Sequence, residues 1–439
     1  MTIDVGKAID EAKLNRFHIS IAFLGFLFTV AEGVEMACLG FITTEIAKDW
    51  NISPEDLVFA HMAILVGILI GSLVAGVLSD TIGRRKSLLL MFTFATIGMG
   101  VSYFIANMTQ LVILRFLTGF GAGGALPIAI ALVAEYVPHK YRNMLVVFAF
   151  SGASFASFVC GYLGNYFIVS YGWQGMFLMG FILASPILVW MYFWLPESVK
   201  YLVVKNKDLD KAKSLLQKSN PSIIASAVDT LIINEPPQTK SSLATLFSSG
   251  MAITTLLLWL AFIAGQVIVF LMSIWLPTFL ENAGWEAGLS RQGVGHYYLG
   301  GWLGAILLGY LADRLGAAKV LIATFPIAAV LYFILGQNVN NVDVWWMVAP
   351  FAGAFAIGGI MALAPFAADL YPTSVRGTGV GSALGVGRVG SIITPPIGKV
   401  LLAGGVGAVG FYNVAMIAPI VASLSIWLLV FLKRRNKKN

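Results

Sequence analysis

Long apolar runs separated by short polar connectors fill almost the whole chain. Runs of about twenty residues, each able to cross the hydrocarbon core of a bilayer as one helix, occur at 18–43, 57–79, 87–106, 109–135, 144–169, 173–195, 250–280, 292–312, 319–337, 344–369, 377–403 and 409–432. The pattern predicts an all-α membrane protein with twelve transmembrane helices. One polar, lysine-rich stretch breaks the series after the sixth run. It divides the chain into an N-terminal six-helix half at 1–195, a linker at 196–248 and a C-terminal six-helix half at 249–439. Within the linker, the segment from Asp208 to Gln217 has a capping residue and an amphipathic period, which predicts a short helix ending before Pro221. A solvated or membrane-skimming strut is the expected role for such a helix.

The two halves echo each other. Gly76-Val-Leu-Ser-Asp80-Thr-Ile-Gly83-Arg84-Arg85-Lys86 follows the second run, and Gly309-Tyr-Leu-Ala-Asp313-Arg314-Leu-Gly316-Ala-Ala-Lys319 follows the eighth, an offset of 233 residues from Lys86 to Lys319. Glu135, Pro138 and Arg142 return as Asp369, Pro372 and Arg376, offset by 234 residues from Arg142 to Arg376. Two motifs with nearly one period imply a duplicated six-helix unit, hence two pseudo-symmetric bundles.

Composition agrees with the pattern: 58% of the 439 residues are hydrophobic, 11% are charged, and the mean hydropathy is +0.85. A soluble chain of this length could not hide so much apolar surface. The net charge of +7 raises the question of a nucleic-acid partner, and the placement of the charges answers it. If the helices thread alternately, one side carries Lys7, Lys13, Arg16, Arg84, Arg85, Lys86, Lys140, Arg142, the linker lysines, Arg314, Lys319, Arg376 and the basic tail. The other side carries only Lys48 and Arg291. The basic excess therefore marks topology, with both termini and the linker cytoplasmic in a cell (inner or plasma) membrane, and calls for no nucleic acid. The first run is too long for a signal core and contains two glutamates, so it is expected to remain as a helix. Cys38 and Cys160 both lie within spans, which suits packing better than a disulfide or a metal pair.

The loop Gly-x-Leu-x-Asp-x-x-Gly-Arg-Arg-Lys ending at Lys86 resembles the signature of the major facilitator superfamily. The resemblance extends along nearly the whole chain: Arg115-Phe-Leu-Thr-Gly119, Gly123-Gly124-Ala-Leu-Pro127, Glu135-Tyr-Val-Pro138, Trp275-Leu-Pro277, Tyr371-Pro372-Thr-Ser-Val-Arg376-Gly-Thr-Gly379 and Gly387-Arg388-Val-Gly390-Ser391. Together these look like the aromatic acid:proton symporter branch. Pro196-Glu197-Ser198 is shared more widely, with sugar porters and organic-ion carriers. The branch carries Asp-Gly-aromatic-Asp in its first helix, whereas this chain has Glu32-Gly33-Val34-Glu35, with both acids kept and the ring lost. The resemblance implies the major facilitator fold and proton-coupled uptake of an organic, aromatic carboxylate by alternating access. A carrier of another small solute (nicotinate-like, an aliphatic acid or a sugar) is the alternative, and a non-translocating nutrient receptor is a third.

Ionisable groups inside spans are costly unless paired or hydrated, which makes each a functional candidate. Glu32 and Glu35, spaced i and i+3, share a face of the first span, where two close carboxylates resist ionising together and one would hold a proton. The competing reading has them pair with a buried arginine. Arg115 lies at about the depth of Glu35, either as that structural partner or, as the resemblance implies, as part of proton coupling. Arg388 shares its face with Gly381, Gly385, Ser391 and Pro395, so its planar fork has room to dock a carboxylate; alternatively it closes over the acids of the first span. In the seventh span Trp259, Phe262, Gln266, Phe270 and Ser273 recur at helical spacing, and Gln266 is too costly to face lipid. Phe262, Gln266 and Phe270, with Phe355 of the tenth span, are therefore candidate substrate residues. His61 and His296, near span ends, are expected to be solvated, and Lys399 to snorkel.

By resemblance, the charged loop residues Asp80, Arg84, Arg85, Glu135, Arg142, Glu197, Asp313, Arg314, Asp369 and Arg376 form the pairs of an inner gate, Asp80 with Arg84 and Arg85 and Glu135 with Arg142 among them. Loop anchoring is the other reading. No catalytic triad, metal-ligand cluster or phosphate cradle is visible, and the glycines at 119–124 sit inside an apolar run where they favour helix packing. The chain is thus expected to be no enzyme, to need no metal or cofactor beyond a proton gradient, and to work as a monomer on a small organic anion and protons in a lipid bilayer.

Overall fold

The computed structural model describes residues 2–223, 230–234, 243–247, 251–372 and 375–436. Lys240 of the linker, and Thr373 and Ser374 of the Tyr371 motif, lie outside the described residues. In chain order the elements are β1 (Thr2–Asp4), α1 (Val5–Asp10), α2 (Arg16–Trp50), α3 (Val58–Ile82), α4 (Arg84–Ser102), α5 (Met108–Tyr136), α6 (Arg142–Tyr171) and α7 (Gly175–Trp194). The linker contributes α8 (Val199–Val204), α9 (Leu209–Ser219) and β2 (Thr230–Ile232). Then come α10 (Ala252–Asn282), α11 (Ala287–Leu315), α12 (Ala317–Gln337), α13 (Val342–Met361), α14 (Leu363–Leu370), α15 (Arg376–Ala403), α16 (Ala408–Ala415) and α17 (Ile417–Asn436).

All twelve predicted spans are helical, the tenth as α13 with α14 and the twelfth as α16 with α17. Both breaks have one cause. A proline ring clashes with the carbonyl four residues back and offers no N–H to it. Pro365 stands four residues after Met361, where α13 ends, and Pro419 four after Ala415, where α16 ends. Two boundaries differ usefully from the hydropathy reading. α2 continues to Trp50, and α11 begins at Ala287, so Arg291 belongs to a helix and not to a loop as its charge had implied. Hydropathy detects the hydrocarbon layer, whereas the backbone ladder continues through any residues that tolerate helical geometry.

Contacts group the chain into two compact units. One comprises Met1–Met36, Ala63–Ala156 and Phe177–Gln238; the other comprises Ala37–Met62, Ser157–Met176 and Thr239–Asn439. The boundaries cut α2, α3 and α6 partway and α7 in its first turn, so the second unit includes the C-terminal half and one end of each of these helices.

The duplication read from the loops is repeated in backbone detail. Gly83 and Gly316, at matching motif positions, have φ of 102° and 91°, which favours glycine at both turns. In the first unit α3 and α5 meet backbone to backbone: a Cβ on Gly71 would lie 2.0 Å from the Phe120 carbonyl oxygen. In the second, α11 and α13 do the same, with a Cβ on Gly353 falling 1.8 Å from the Tyr297 carbonyl oxygen. Among lipid tails no hydrophobic force drives helices together, so close contact through glycines supplies the dispersion energy that holds each crossing.

The linker departs from expectation. α9 forms with Asp208 as its N-cap, but its apolar face of Ala212, Leu215 and Leu216 is buried against protein, in one cluster with Val5, Ala8, Ile9, Tyr201 and Leu202. It is therefore neither a solvated strut nor a membrane-skimming one. β1 pairs with β2 in parallel, Ile3 opposite Leu231. The Asn15 amide donates to the carbonyls of Lys218 and Ser219 at 3.1 and 3.0 Å, and the Asn220 amide to that of Ala8 at 2.8 Å. The N-terminal segment had no hydrophobic run long enough to register in the sequence, and its partners lie more than 200 positions away.

Candidate functional site

Three groups of side chains carry the candidate chemistry: a buried arginine with two glutamates in the first unit, an arginine on a helix that crosses α10 in the second, and the charged loops.

Arg115 projects from α5 into the first unit and is completely buried. Its guanidinium donates to the Ser102 hydroxyl of α4 at 2.7 Å, lies 3.7 Å from the Met99 sulfur, and sits 4.6 Å from the centre of the Phe177 ring of α7. A permanent cation is thus surrounded by weak, mostly neutral acceptors. The acids of α2 supply the charge. Glu32 and Glu35 are 2% and 3% exposed, and Glu35 is coupled electrostatically to Arg115 and to Glu32, within hydrogen-bonding reach of the Thr118 hydroxyl. The structure brings together the three residues that the sequence nominated, and adds Ser102, Thr118 and Phe177, which as ordinary span residues gave no signal of their own. Chemically, one cation facing two carboxylates in a dry setting can hold one negative charge and one proton.

Arg388 is half-buried on α15. Gly387 and Gly390 on either side let α10 approach: a Cβ on Gly387 would lie 3.1 Å from Cβ of Phe262, and one on Gly390 would lie 2.2 Å from the Ile263 carbonyl oxygen and 3.1 Å from Cβ of Gln266. This crossing places Phe262, buried, and Gln266, half-buried, against the turn that bears Arg388. Towards the start of the same helix Gly377, Gly381 and Gly385 have nothing within 4 Å of an added Cβ, so that face of α15 borders open space. Trp259, one face-turn earlier on α10, donates to the Ser382 hydroxyl at 3.2 Å. Phe270 and Phe355 are half-buried, while Phe351 is exposed.

In the loops, Arg84 pairs with Glu135 at 2.7 Å, and Glu135 also accepts from the Ser198 hydroxyl. Glu197 accepts from the backbone N–H of Arg85 and of Ser198 at 3.0 and 2.9 Å, and a Cβ on Gly83 would strike its carboxylate at 2.4 Å. The expected partners are thereby rearranged. Arg142 pairs with Asp10 of α1 and not with Glu135, and Arg84 takes Glu135 and not Asp80. Asp80, Asp313, Asp369 and Arg376 are exposed and form no ion pair among the described residues; Arg314 lies 4.6 Å from the centre of the Tyr310 ring.

His61 is only 2% exposed, contrary to the solvated histidine expected, and its Nε2 is 3.1 Å from the Thr43 hydroxyl with the Trp275 ring alongside. His296 is half-buried beside the Tyr162 hydroxyl at 3.1 Å. Lys399 lies 5.6 Å from the centre of the Phe59 ring. In the sequence Arg291 stands only as one of two basic residues on the outer side. It is 3% exposed, donates to Glu45 at 3.2 Å and to the Asn165 amide oxygen at 2.9 Å, and so ties α11 to α2 and α6. Among the described residues no group of His, Cys, Asp and Glu side chains is arranged to hold a metal ion.

The sequence profile of the Major Facilitator Superfamily matches residues 21–296 and 293–439. The 4-hydroxybenzoate transporter PcaK of Pseudomonas putida is 32% identical over 403 residues, which cover 91% of this chain and 90% of that protein. A gallate transporter of Pseudomonas putida is 30% identical over 426 residues, covering 97% and 94%. In fold, the chain is similar to the xylose transporter XylE from E. coli in a partially occluded inward-open conformation, with a TM-score of 0.73, 18% identity, and coverage of 94% of this chain and 99% of that one.

Proposed function

Since this chain belongs to the Major Facilitator Superfamily and is a multi-pass membrane transporter, not an enzyme, we propose that it imports an aromatic carboxylate together with protons by alternating access. The observation that carries the substrate class is the turn of α15 at Arg388. Arg388 stands on the turn whose Gly387 and Gly390 meet α10 at Phe262 and Gln266, beside a helix face bordered by open space, so a guanidinium fork, a primary amide and an aromatic ring are available on one crossing. Such a set recognises a carboxylate bidentately and an aromatic body by contact. Phe270 and Phe355, both half-buried, are assigned to the aromatic contact with the substrate. The named relatives carry 4-hydroxybenzoate and gallate, acids of that class.

Proton coupling is assigned to Glu32, Glu35 and Arg115. Loading one proton and one anion together reduces the charge that has to cross the low-dielectric barrier. Both termini and the linker face the cytoplasm of a cell membrane, because the lysines and arginines cluster on that side. The paired loops at Arg84, Glu135 and Glu197, with Asp80, Arg85, Arg142, Asp313, Arg314, Asp369 and Arg376, act at the cytoplasmic gate. The gradient is the energy source, no cofactor takes part, and a monomer suffices.

The test is uptake of labelled 4-hydroxybenzoate into proteoliposomes, inside neutral and outside acidic, against vesicles without a gradient. Accumulation only with the gradient supports the reading. Saturable binding with no uptake under either condition sinks it in favour of a receptor.

A further inference from the structure

Arg291 is a buried cation of the second unit whose partners come from the other sequence half. Its Glu45 lies on α2 and its Asn165 on α6, both from the N-terminal half, whereas Arg291 itself lies near the start of α11 in the C-terminal half. The helices are close here. A Cβ on Gly161 would lie 2.5 Å from the Arg291 carbonyl oxygen, and one on Gly40 would lie 2.2 Å from that of Ser273. If the two halves rock apart at this end, Glu45 and Asn165 leave with their helices. A buried guanidinium left without an anion costs several kcal/mol, so the open state needs a replacement.

That replacement is present. Glu281, near the end of α10 and in the same half as Arg291, is coupled electrostatically to Arg291, Lys48 and Glu45 and is hydrogen-bonded with Thr44. One of its carboxylate oxygens is buried with no hydrogen-bond partner among the described residues, and so is Nε of Arg291. An orphaned acceptor and an orphaned donor of opposite charge therefore sit in one cluster, each unsatisfied while the cluster is closed. Glu281 also lines a cavity of about 540 Å³ together with Lys48, Asn51, Trp285 and Glu286, which gives its side chain room to turn.

We infer that Arg291 is the bolt of the outer gate, and that its counter-ion changes hands on opening, from Glu45 in the closed state to Glu281 in the open one. Asn165 supplies a neutral acceptor that seats the bolt without adding charge. Two anions available in turn to one cation keep it neutralised on both sides of the transition, which lowers the barrier between them. The inference rests on the alternating-access part of the reading above and is independent of the substrate.

The experiment uses the full-length chain in lipid nanodiscs, with hydrogen exchange of the segments 37–50 and 157–171 as the readout of outer opening, alongside counterflow in proteoliposomes. Glu45→Gln, which weakens the closed state, is expected to raise exchange in both segments. Glu281→Gln, which deprives the open state, is expected to lower exchange there and to cut counterflow at least tenfold, with melting temperature unchanged. Glu286→Gln, a neighbouring exposed acid, should leave both readouts at the native level. Native exchange and counterflow in Glu281→Gln would overturn the handover, as would a rise in exchange like that of Glu45→Gln, which would make Glu281 merely part of the closed cluster. Exchange needs no substrate, so the result stands even if 4-hydroxybenzoate is not carried.

Discussion

Arg84 and Glu135 form a 2.7 Å ion pair between the start of α4 and the end of α5, and the Ser198 hydroxyl donates to the same carboxylate. Three sequence motifs thus converge on one carboxylate. Side-chain exposures of 23% and 14% mean that water screens the pair only in part.

Replacing Glu135 by glutamine should therefore disturb the step that the loops control and not the binding of substrate. Initial uptake is expected to fall by about tenfold, the equivalent of ~1.4 kcal/mol on a barrier. Affinity for the carboxylate, measured by titration of purified protein, should remain within about twofold. A proportional loss of both would move Glu135 from gating to folding.

The N-terminal segment is held by burial more than by charge. Val5 is fully buried, whereas the Asp10–Arg142 pair is 42% and 32% exposed. Asp10→Ala should cost no more than about 1 kcal/mol. Val5→Asp, which sets a charge among Ala8, Ile9 and Leu216, should release β1 from β2. Amide exchange over residues 2–10 distinguishes the two, and equal exchange would show that the ion pair is the main tether.

At Arg388 the geometry of the donor matters beyond its charge. Lysine keeps the positive charge but offers a point ammonium where a fork can bind both carboxylate oxygens. Arg388→Lys is expected to weaken 4-hydroxybenzoate binding by tenfold or more in calorimetry. Native affinity in this variant would place the carboxylate elsewhere.

Glutamine at position 32 or 35 imitates a permanently protonated acid. For the residue that carries the proton, exchange of substrate across the membrane should persist while accumulation driven by a pH gradient disappears. Glu35 is coupled to Arg115, Glu32 and Thr118, so comparing Glu32→Gln with Glu35→Gln identifies which of the two acids moves the proton. Gradient-driven accumulation surviving in both variants would make these acids structural.

How much of this could be read without coordinates depends on distance along the chain. Helix number follows from hydrocarbon thickness, and Met108–Tyr136 or Ala317–Gln337 matched the apolar runs to within a few residues. The repeat of Gly83 at Gly316 was visible because duplication copies residues in order. Glu32, Glu35, Arg115 and Arg388 stood out because charge inside an apolar run is costly, and that cost depends on the local environment alone.

Partner choice was decided only by tertiary structure. Arg142 takes Asp10, Arg84 takes Glu135, and Arg291 takes Glu45 across more than 200 residues of sequence, since a long side chain pairs with whichever acid folding brings within about 4 Å. Nor could the pattern show that α9 would turn its leucines onto Val5 and Ile9, or that His61 would be dry. An amphipathic face and a titratable ring state only what they require. The sequence by itself determined that a membrane would be crossed, how often, and which residues would be costly to place there; packing in three dimensions decided what satisfies each of them, because hydrogen bonds and ion pairs act over a few ångströms that the order of residues does not encode.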